Sequence, residues 1–170
     1  MKEVSFRNDI LPLKNILFRV ALRITLNREE AEDVVQDTLI KVWNKREELD
    51  KLDSVEAYSL RICRNLSLDR IKRHENLNSS LSDSETDSPD SARDPAEEMI
   101  RQNKLNIVTE IINSLPEIQR SCVQLRDIEE KSYKEIAKIL CISEEQVKVS
   151  IFRARQAIKN KYQQIDNYGL

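Results

Sequence analysis

The sequence predicts an all-α protein with two small helical domains joined by a flexible acidic linker, the second containing a helix-turn-helix. Apolar residues recur every three or four positions through most of the chain, which is the period of an amphipathic helix. The strict alternation typical of a half-buried strand is missing, and the single glycine, Gly169, lies near the end of the 170 residues. Helix is therefore expected almost throughout.

Three helices are predicted in an N-terminal domain over residues 1–74. The first is expected over residues 9–25, with a proline in its first turn, where a missing N–H group is tolerated. The second is expected over residues 28–46 behind Asn27, a side chain suited to capping the first N–H groups. The third is expected over residues 54–74 and begins with a serine cap.

A linker is predicted over residues 75–95, where helical periodicity stops and serines mix with carboxylates and two prolines. Such a segment buries too little apolar surface to offset the entropy of ordering it, so we expect it to be flexible. Its acidity could shield neighbouring basic helices from nucleic acid, although solubility explains it equally well. It separates the N-terminal domain from a C-terminal domain over residues 96–170.

The C-terminal domain contains two amphipathic segments that meet at a very short corner. Ser132 with Glu135, and Ser143 with Gln146, have the spacing of capping boxes, in which side chains satisfy the first N–H groups of a helix. Two capped helices so closely connected predict a helix-turn-helix, whose second helix can enter a major groove. That helix presents Phe152 and five basic residues, which favours DNA reading over an ordinary solvated face; the basic residues are Lys148, Arg153, Arg155, Lys159 and Lys161.

Two helices of the N-terminal domain carry opposite charges. The second helix has many acidic residues in its first half and Trp43, the only tryptophan, near its end. This pattern suits a surface that binds a protein partner. It is equally consistent with an ordinary surface helix, because acidic residues near the N-terminus interact favourably with the helix dipole. The third carries a basic face with Tyr58, which suits a phosphate backbone and base stacking, with a solvated cationic face as the alternative.

Composition excludes several classes of function. One glycine cannot supply a P-loop or a dinucleotide fingerprint, so no nucleotide cofactor is expected. One histidine, His74, and three cysteines without a CxxC pair argue against a metal site or a catalytic triad, so no catalytic residue is assigned. Cys63, Cys122 and Cys141 are expected to be small core residues in a reducing cytoplasm. The sequence has no apolar run of membrane-spanning length.

Four motifs in order resemble a bacterial RNA polymerase sigma factor of the extracytoplasmic-function (ECF) subgroup. They are AEDVVQDTLIKVW (31–43), YSLRICRN (58–65), LPEIQR (115–120) and SYKEIAKIL…VKVSIFRAR (132–155). The resemblance covers nearly the whole chain except the linker and the ends. It implies a promoter-specificity subunit that is not an enzyme, with core RNA polymerase, promoter DNA and an anti-sigma factor as partners and no small-molecule substrate.

The resemblance also assigns roles to residues that the chemistry of each helix allows. Docking on polymerase is implied for the second helix, at Asp33, Gln36, Asp37 and Trp43. Melting and holding the single-stranded −10 element is implied for the third helix, at Tyr58, Arg61, Arg64, Asn65, Arg70 and Arg73. Reading the duplex −35 element is implied for the second helix of the helix-turn-helix, at Lys148, Val149, Phe152, Arg153 and Arg155. The loop at residues 44–53 is where such proteins form part of a pocket for a flipped base.

The sequence departs from the family pattern at a few positions. A glycine is common in or just after the turn, where Cys141 and Glu145 stand here. A small polar residue is common at Val149 and a tryptophan at Tyr58, so these two positions should alter which promoter is read. Two alternatives stay open on the residues alone: a dimeric helix-turn-helix repressor that binds a palindrome without polymerase, and a helical adaptor that binds only protein.

Overall fold

The computed structural model describes residues 3–77 and 95–167, and within these ranges all regular secondary structure is helical. Side chains of residues 95–98 are not among those described, and the predicted linker lies almost wholly outside the described residues. Seven α-helices follow in order: α1 (Lys14–Thr25), α2 (Arg28–Asn44), α3 (Val55–Leu77), α4 (Pro95–Asn113), α5 (Glu117–Val123), α6 (Tyr133–Leu140) and α7 (Glu144–Asn167).

Helices α1, α2 and α3 pack against one another as the N-terminal unit. Their inner faces are the apolar stripes seen in the sequence, with Leu17, Val34 and Leu60 fully buried. The predicted caps are confirmed: Asn27 Oδ1 accepts a hydrogen bond from the Glu30 N–H at 3.0 Å, and Ser54 Oγ accepts one from the Ala57 N–H at 3.1 Å. Local capping chemistry therefore fixes where α2 and α3 begin.

Three predicted boundaries of the N-terminal unit were wrong. A π-helical turn (Phe6–Ile10) and a 3-10 turn (Leu11–Leu13) precede α1, because Pro12 has no N–H group to donate to the α-helical ladder there. Helix α2 ends at Asn44, and a separate 3-10 helix (Arg46–Lys51) follows it. Helix α3 continues to Leu77, so residues 75–77 belong to a helix and not to the linker.

The C-terminal unit consists of α4 to α7, with a π-helical turn (Gln124–Ile128) after α5. Both capping boxes are present: Ser132 Oγ accepts from the Glu135 N–H and Ser143 Oγ accepts from the Gln146 N–H, each at 3.1 Å. Cys141 ends α6 in the left-handed region, with φ 57°. The predicted helix-turn-helix is thus formed by α6 and α7, although the corner lacks the glycine that this backbone conformation favours.

One prediction about a small apolar residue needs correction, and α4 is more exposed than its apolar content indicates. Met99 and Leu105 are 64% and 60% exposed, because the buried cluster that α4 joins involves only its last turns. Cys141 was expected in the core and is exposed, because the left-handed corner directs it away from α6. Cys63 and Cys122 are buried, as predicted.

The two units share one hydrophobic core. A single cluster of buried side chains contains Leu17, Val20 and Leu60 from the N-terminal unit together with Leu125 and Ile136 from the C-terminal unit. Helix α1 packs on α5, and α3 packs on α6. The units therefore lie directly against each other in this structure, which the sequence patterns did not predict.

Candidate nucleic-acid and protein interfaces

Helix α7 presents a mixed apolar and basic face to solvent. Its inner stripe of Val147, Ile151 and Ala154 is buried, so the side chains between them point outward. Val149 is 47% exposed and Phe152 is 65% exposed, although both are large apolar residues. An uncovered apolar surface beside cationic groups is suited to the methyl groups and edges of bases in a major groove.

A shallow groove of about 440 Å³ runs along this face of α7. It is lined by Gln146, Val149 and Arg153 of α7 and by Ile118 of α5. Gln146 was not among the predicted DNA-contacting residues, and its side chain caps the helix by accepting from the Ser143 N–H at 2.9 Å. Val149 and Arg153 of the predicted −35 set are therefore brought together on one surface.

Two other members of the predicted −35 set contact partners within the C-terminal unit. The Arg155 guanidinium donates to Asp127, with Nε 3.2 Å from Oδ2, and this hydrogen bond raises the pKa of Arg155. The Lys148 ammonium lies 5.9 Å from the centre of the Tyr133 ring, within the range of a cation–π contact. Neither residue lines the groove that contains Val149 and Arg153.

The predicted −10 set on α3 is divided into three environments. Asn65 and Arg73 are exposed, whereas Tyr58 is half-buried against a small apolar cluster that includes Ile10 and Val42. A cavity of about 610 Å³ lies beside Tyr58, with Arg61 on the same wall. Tyr58 therefore has one covered side and one side facing a space between α3 and α6.

Arg70 is held by carboxylates of α2. Its NH1 atom is 3.0 Å from Glu30 Oε2 and 3.6 Å from Asp33 Oδ2, and its NH2 atom is 3.1 Å from Asp37 Oδ2. Glu30 also contacts His74 Nε2 at 2.8 Å, and this contact, helped by Arg70, lowers the pKa of Glu30 against the opposing effect of burial. Arg70 therefore serves to join α3 to α2 in this structure, and its predicted DNA contact would have to compete with these bonds.

Arg61 and Arg64 face the C-terminal unit. The Arg64 guanidinium donates to both carboxylate oxygens of Glu117, at 3.1 Å and 3.0 Å. Arg61 donates from Nε and NH2 to the backbone carbonyl of Lys138, at 3.2 Å and 2.8 Å. The structure thus separates the predicted −10 residues: Arg61 and Arg64 are hydrogen-bonded to the other unit, Arg64 being largely buried there and Arg61 still exposed.

The acidic face of α2 is accessible. Asp33 and Gln36 are exposed, while Asp37 is half-buried beside Arg70. Ile40 is 58% exposed one turn beyond Gln36, so an apolar side chain extends the polar face. Sequence reasoning missed Ile40, although its spacing of four residues from Gln36 placed it on that face.

Trp43 lies in a different environment from the one expected. Its ring packs edge-to-face on Phe6 with ring centroids 5.5 Å apart, and the Arg46 guanidinium lies 4.5 Å from its centre. Trp43 is half-buried between these two groups and holds the N-terminal turn onto α2. An open space of about 440 Å³ borders Trp43, Arg46 and Asp50, at the loop that was expected to contribute to a base pocket.

Residues 3–77 and 95–167 contain no group of three or more potential metal-ligating side chains. No helix in these ranges is long and apolar enough to cross a membrane.

Comparison with known proteins identifies two sigma-factor regions in this chain. Residues 10–76 match the family described as Sigma-70 region 2, and residues 105–158 match the family described as Sigma-70, region 4. The first match spans α1 to α3, and the second contains the helix-turn-helix. Their order defines the class of the protein as an RNA polymerase sigma factor.

Similarity to whole proteins narrows this class. The chain is 31% identical to the ECF RNA polymerase sigma-E factor of Haemophilus influenzae over 146 residues, covering 81% of this chain and 77% of the relative. It is 27% identical to the ECF sigma factor SigM of Bacillus subtilis, covering 87% and 89%. The chain belongs to the ECF family of RNA polymerase sigma factors. It spans 42% of the sigma factor RfaY of Xanthomonas campestris, to which it is 27% identical.

Solved structures have the same fold. The sigma factor RpoE of Bartonella quintana, solved with the anti-sigma factor NepR, superposes with a TM-score of 0.76 at 23% identity, covering 93% of this chain and 96% of that one. CnrH, solved with the cytosolic domain of CnrY, gives a TM-score of 0.59 at 22% identity. The all-helical architecture predicted from the sequence is confirmed.

Proposed function

We propose that this sigma factor binds core RNA polymerase and directs initiation at promoters whose −35 element is read by α7 and whose −10 element is melted and held by α3. The observation that carries this proposal is the presence, in one chain, of both sigma regions with an uncovered apolar and basic face on the helix-turn-helix. Val149 and Phe152 are exposed beside cationic groups on the second helix of the helix-turn-helix, which suits the apolar and charged contacts that read bases in a major groove.

At the −35 element, Val149, Phe152 and Arg153 contact base edges in the major groove, and Lys148 and Arg155 contact phosphates. Val149 supplies a methyl-sized apolar surface, which suits a thymine methyl group better than a hydrogen-bonding base edge. Arg153 is the strongest candidate for a base contact because its side chain is exposed in the groove and an arginine fork can pair with guanine.

At the −10 element, Arg61, Arg64, Asn65 and Arg73 bind the separated non-template strand, and Tyr58 stacks on a base. Arginines on one helix neutralise phosphates, and an aromatic face offsets part of the cost of unstacking. Arg70 contributes less directly, by holding α3 against α2. The space beside Trp43 and the 3-10 helix Arg46–Lys51 is the candidate location for a flipped base.

Polymerase docking uses Asp33, Gln36 and Ile40 on the accessible face of α2, with Asp37 at its edge. The protein acts in the cytoplasm, performs no catalysis of its own and is regulated by an anti-sigma factor. Regulation by an anti-sigma factor is supported by two structural relatives. RpoE was solved with the anti-sigma factor NepR, and CnrH was solved with the cytosolic domain of CnrY.

The experiment that tests the proposal is run-off transcription with core polymerase on fragments of the native genome, with and without the protein. Discrete start sites that require the protein support it and supply the −35 and −10 sequences together. A symmetric footprint by the free protein, without any start site, would instead indicate a dimeric repressor. Polymerase binding without start sites or protected DNA would indicate an adaptor.

A further inference from the structure

The N-terminal segment, residues 3–10, packs at the junction of α2, α3 and the 3-10 helix. Its π-helical turn contacts both α2 and α3. Ile10 is fully buried in a small apolar cluster with Val42 of α2 and Leu49 of the 3-10 helix. Phe6 packs against the same cluster. The match to Sigma-70 region 2 begins only at residue 10, so almost all of this segment precedes it.

Local hydrogen bonds fix the shape of the N-terminal segment. The Asp9 carboxylate accepts from the Ser5 N–H at 2.8 Å, and the Ser5 hydroxyl accepts from the Asn8 N–H at 3.4 Å. The two bonds satisfy backbone donors at the start of the turn in the manner of a capping box. Glu3 and Val4 directly precede this capped turn, so their positions follow from it.

Phe6 begins a stack of three side chains. Its ring lies edge-to-face with Trp43, with ring centroids 5.5 Å apart. The Arg46 guanidinium lies over the Trp43 ring, 4.5 Å from its centre, and its NH1 atom donates to the Trp43 carbonyl at 3.1 Å. The guanidinium is thus held at two points, although the residue is exposed. A guanidinium plane held in this way can carry an unpaired base on its outer side.

The space beside this stack has an acidic rim. Its volume is about 440 Å³, and it is bordered by Glu3 of the N-terminal segment and by Glu47 and Asp50 of the 3-10 helix. Three carboxylates next to a single guanidinium disfavour a phosphate group, because like charges repel. Carboxylate oxygens accept hydrogen bonds, so they suit the edge of a base that carries an amino group. Thymine has a carbonyl oxygen where cytosine has its amino group, and therefore fits this rim less well.

We propose that the N-terminal segment forms a wall of the flipped-base pocket: Phe6 positions Trp43 and Arg46 as the stacking platform, and Glu3 accepts a hydrogen bond from the amino group of the base. This inference rests on the proposed function, which places a flipped base beside Trp43 and the 3-10 helix. It adds a segment outside the matched region to the recognition of the −10 element. It also names the class of base that the pocket takes, one with an exocyclic amino group.

The first test changes the stacking platform through Phe6. The readout is run-off transcription with core polymerase from promoters that differ by one base at each position of the −10 element used by the wild-type protein. Phe6→Ala should lower the base preference at one position about fivefold, the equivalent of one aromatic pair, because Trp43 and Arg46 lose their support. Phe6→Tyr keeps the ring and should keep the preference.

A matched control separates positioning from stability. Phe18 on α1 is also a half-buried aromatic residue with a guanidinium near its ring, that of Arg28 at 5.9 Å, but it does not border the pocket. Lower stability alone reduces transcription from every promoter by the same factor, which is the result expected for Phe18→Ala. The double variant Phe6→Ala, Arg46→Ala should discriminate no worse than Arg46→Ala alone, because Phe6 acts through Arg46.

The second test changes the acidic rim and leaves the packing intact. Glu3→Gln keeps the size of the side chain and adds an amide that can donate a hydrogen bond. The preference for an amino-bearing base over thymine should therefore fall about fivefold, the value of one ordinary hydrogen bond. Glu48→Gln is the matched control, since Glu48 lies on the same 3-10 helix but pairs with Lys45 at 3.7 Å and does not border the pocket. It should leave the preference unchanged.

The outcomes separate this inference from the proposed function. If the wild-type protein directs no start site, the proposed function fails and the inference fails with it. If the wild-type protein transcribes but Phe6→Ala and Phe18→Ala lower every promoter alike, the inference is overturned while the proposed function stands. An unchanged preference in Glu3→Gln overturns it as well, whether or not Phe6→Ala folds. A wild-type preference for thymine at the affected position would equally contradict the acidic rim.

Discussion

Replacing Arg70 with methionine should destabilise the protein, because Arg70 joins α3 to α2. Methionine keeps the apolar stem and removes the guanidinium, which contacts Glu30 at 3.0 Å and Asp37 at 3.1 Å. Two charge-assisted hydrogen bonds would be worth about 3–6 kcal/mol if fully buried. The Arg70 side chain is 26% exposed and that of Asp37 is 48% exposed, so solvent screening reduces this to about 2 kcal/mol.

The assay is urea unfolding followed by circular dichroism. With a urea dependence of about 2 kcal/mol per molar, a loss of about 2 kcal/mol moves the midpoint down by about 1 M. Arg73→Met is the matched control, since Arg73 lies on the same helix, is exposed and has no ion pair among the described residues. It should leave the midpoint within about 0.2 M of wild type.

The result that would refute this reasoning is an unchanged midpoint for Arg70→Met together with weaker binding of the −10 strand. That combination would mean that the bonds to α2 contribute little in solution. Arg70 would then return to the DNA-contacting role that the sequence resemblance implied for it.

Three further outcomes are expected. Only Cys141 should react with a thiol reagent at about pH 8, because burial raises the pKa of Cys63 to about 12 and that of Cys122 to about 11. Rapid reaction of a second cysteine in the native protein would contradict the packing. Glu30→Gln should be less stable than wild type at pH 7, and the difference in urea midpoint should shrink as the pH falls below 4.5. The reason is that the pKa of Glu30 is depressed in the fold, so its contribution is present above its ordinary pKa of 4.5 and is lost as the pH falls through the lower folded value. Arg153→Ala should weaken binding of the −35 duplex by about 1–3 kcal/mol and relax the sequence preference at one base pair. Affinities measured for a series of duplexes with single base-pair substitutions would show this. Equal weakening for every duplex would instead mean that Arg153 contacts a phosphate.

The starting points of the helices that carry a side-chain cap could be predicted from the sequence, because capping is set by local chemistry. The apolar spacing of α6 and α7 and the two capping boxes involve residues no more than a few positions apart, so no knowledge of tertiary packing is needed. The exposure of Phe152 follows in the same way from its place between Ile151 and Ala154 on the helix.

Contacts between distant parts of the chain could not be predicted in this way. Arg64 and Glu117 lie 53 positions apart, and nothing in either local pattern indicates that they meet. A basic face that binds DNA and a basic face that binds carboxylates of its own chain have the same composition. Trp43 shows the same limit, because its partner Phe6 belongs to a turn whose packing depends on the tertiary fold.

The core shared by the two units has a consequence for the order of synthesis. Leu17 and Leu60 leave the ribosome well before Ile136, and roughly seventy residues separate the end of α3 from Ile151. At about 5–20 residues per second, the N-terminal unit therefore waits about 4–15 s for the helices that complete its core. During that interval Arg61 and Arg64 have no Lys138 carbonyl and no Glu117 to bind. A newly made chain thus passes through a state in which both arginines lack the hydrogen-bond partners that they have in the finished molecule.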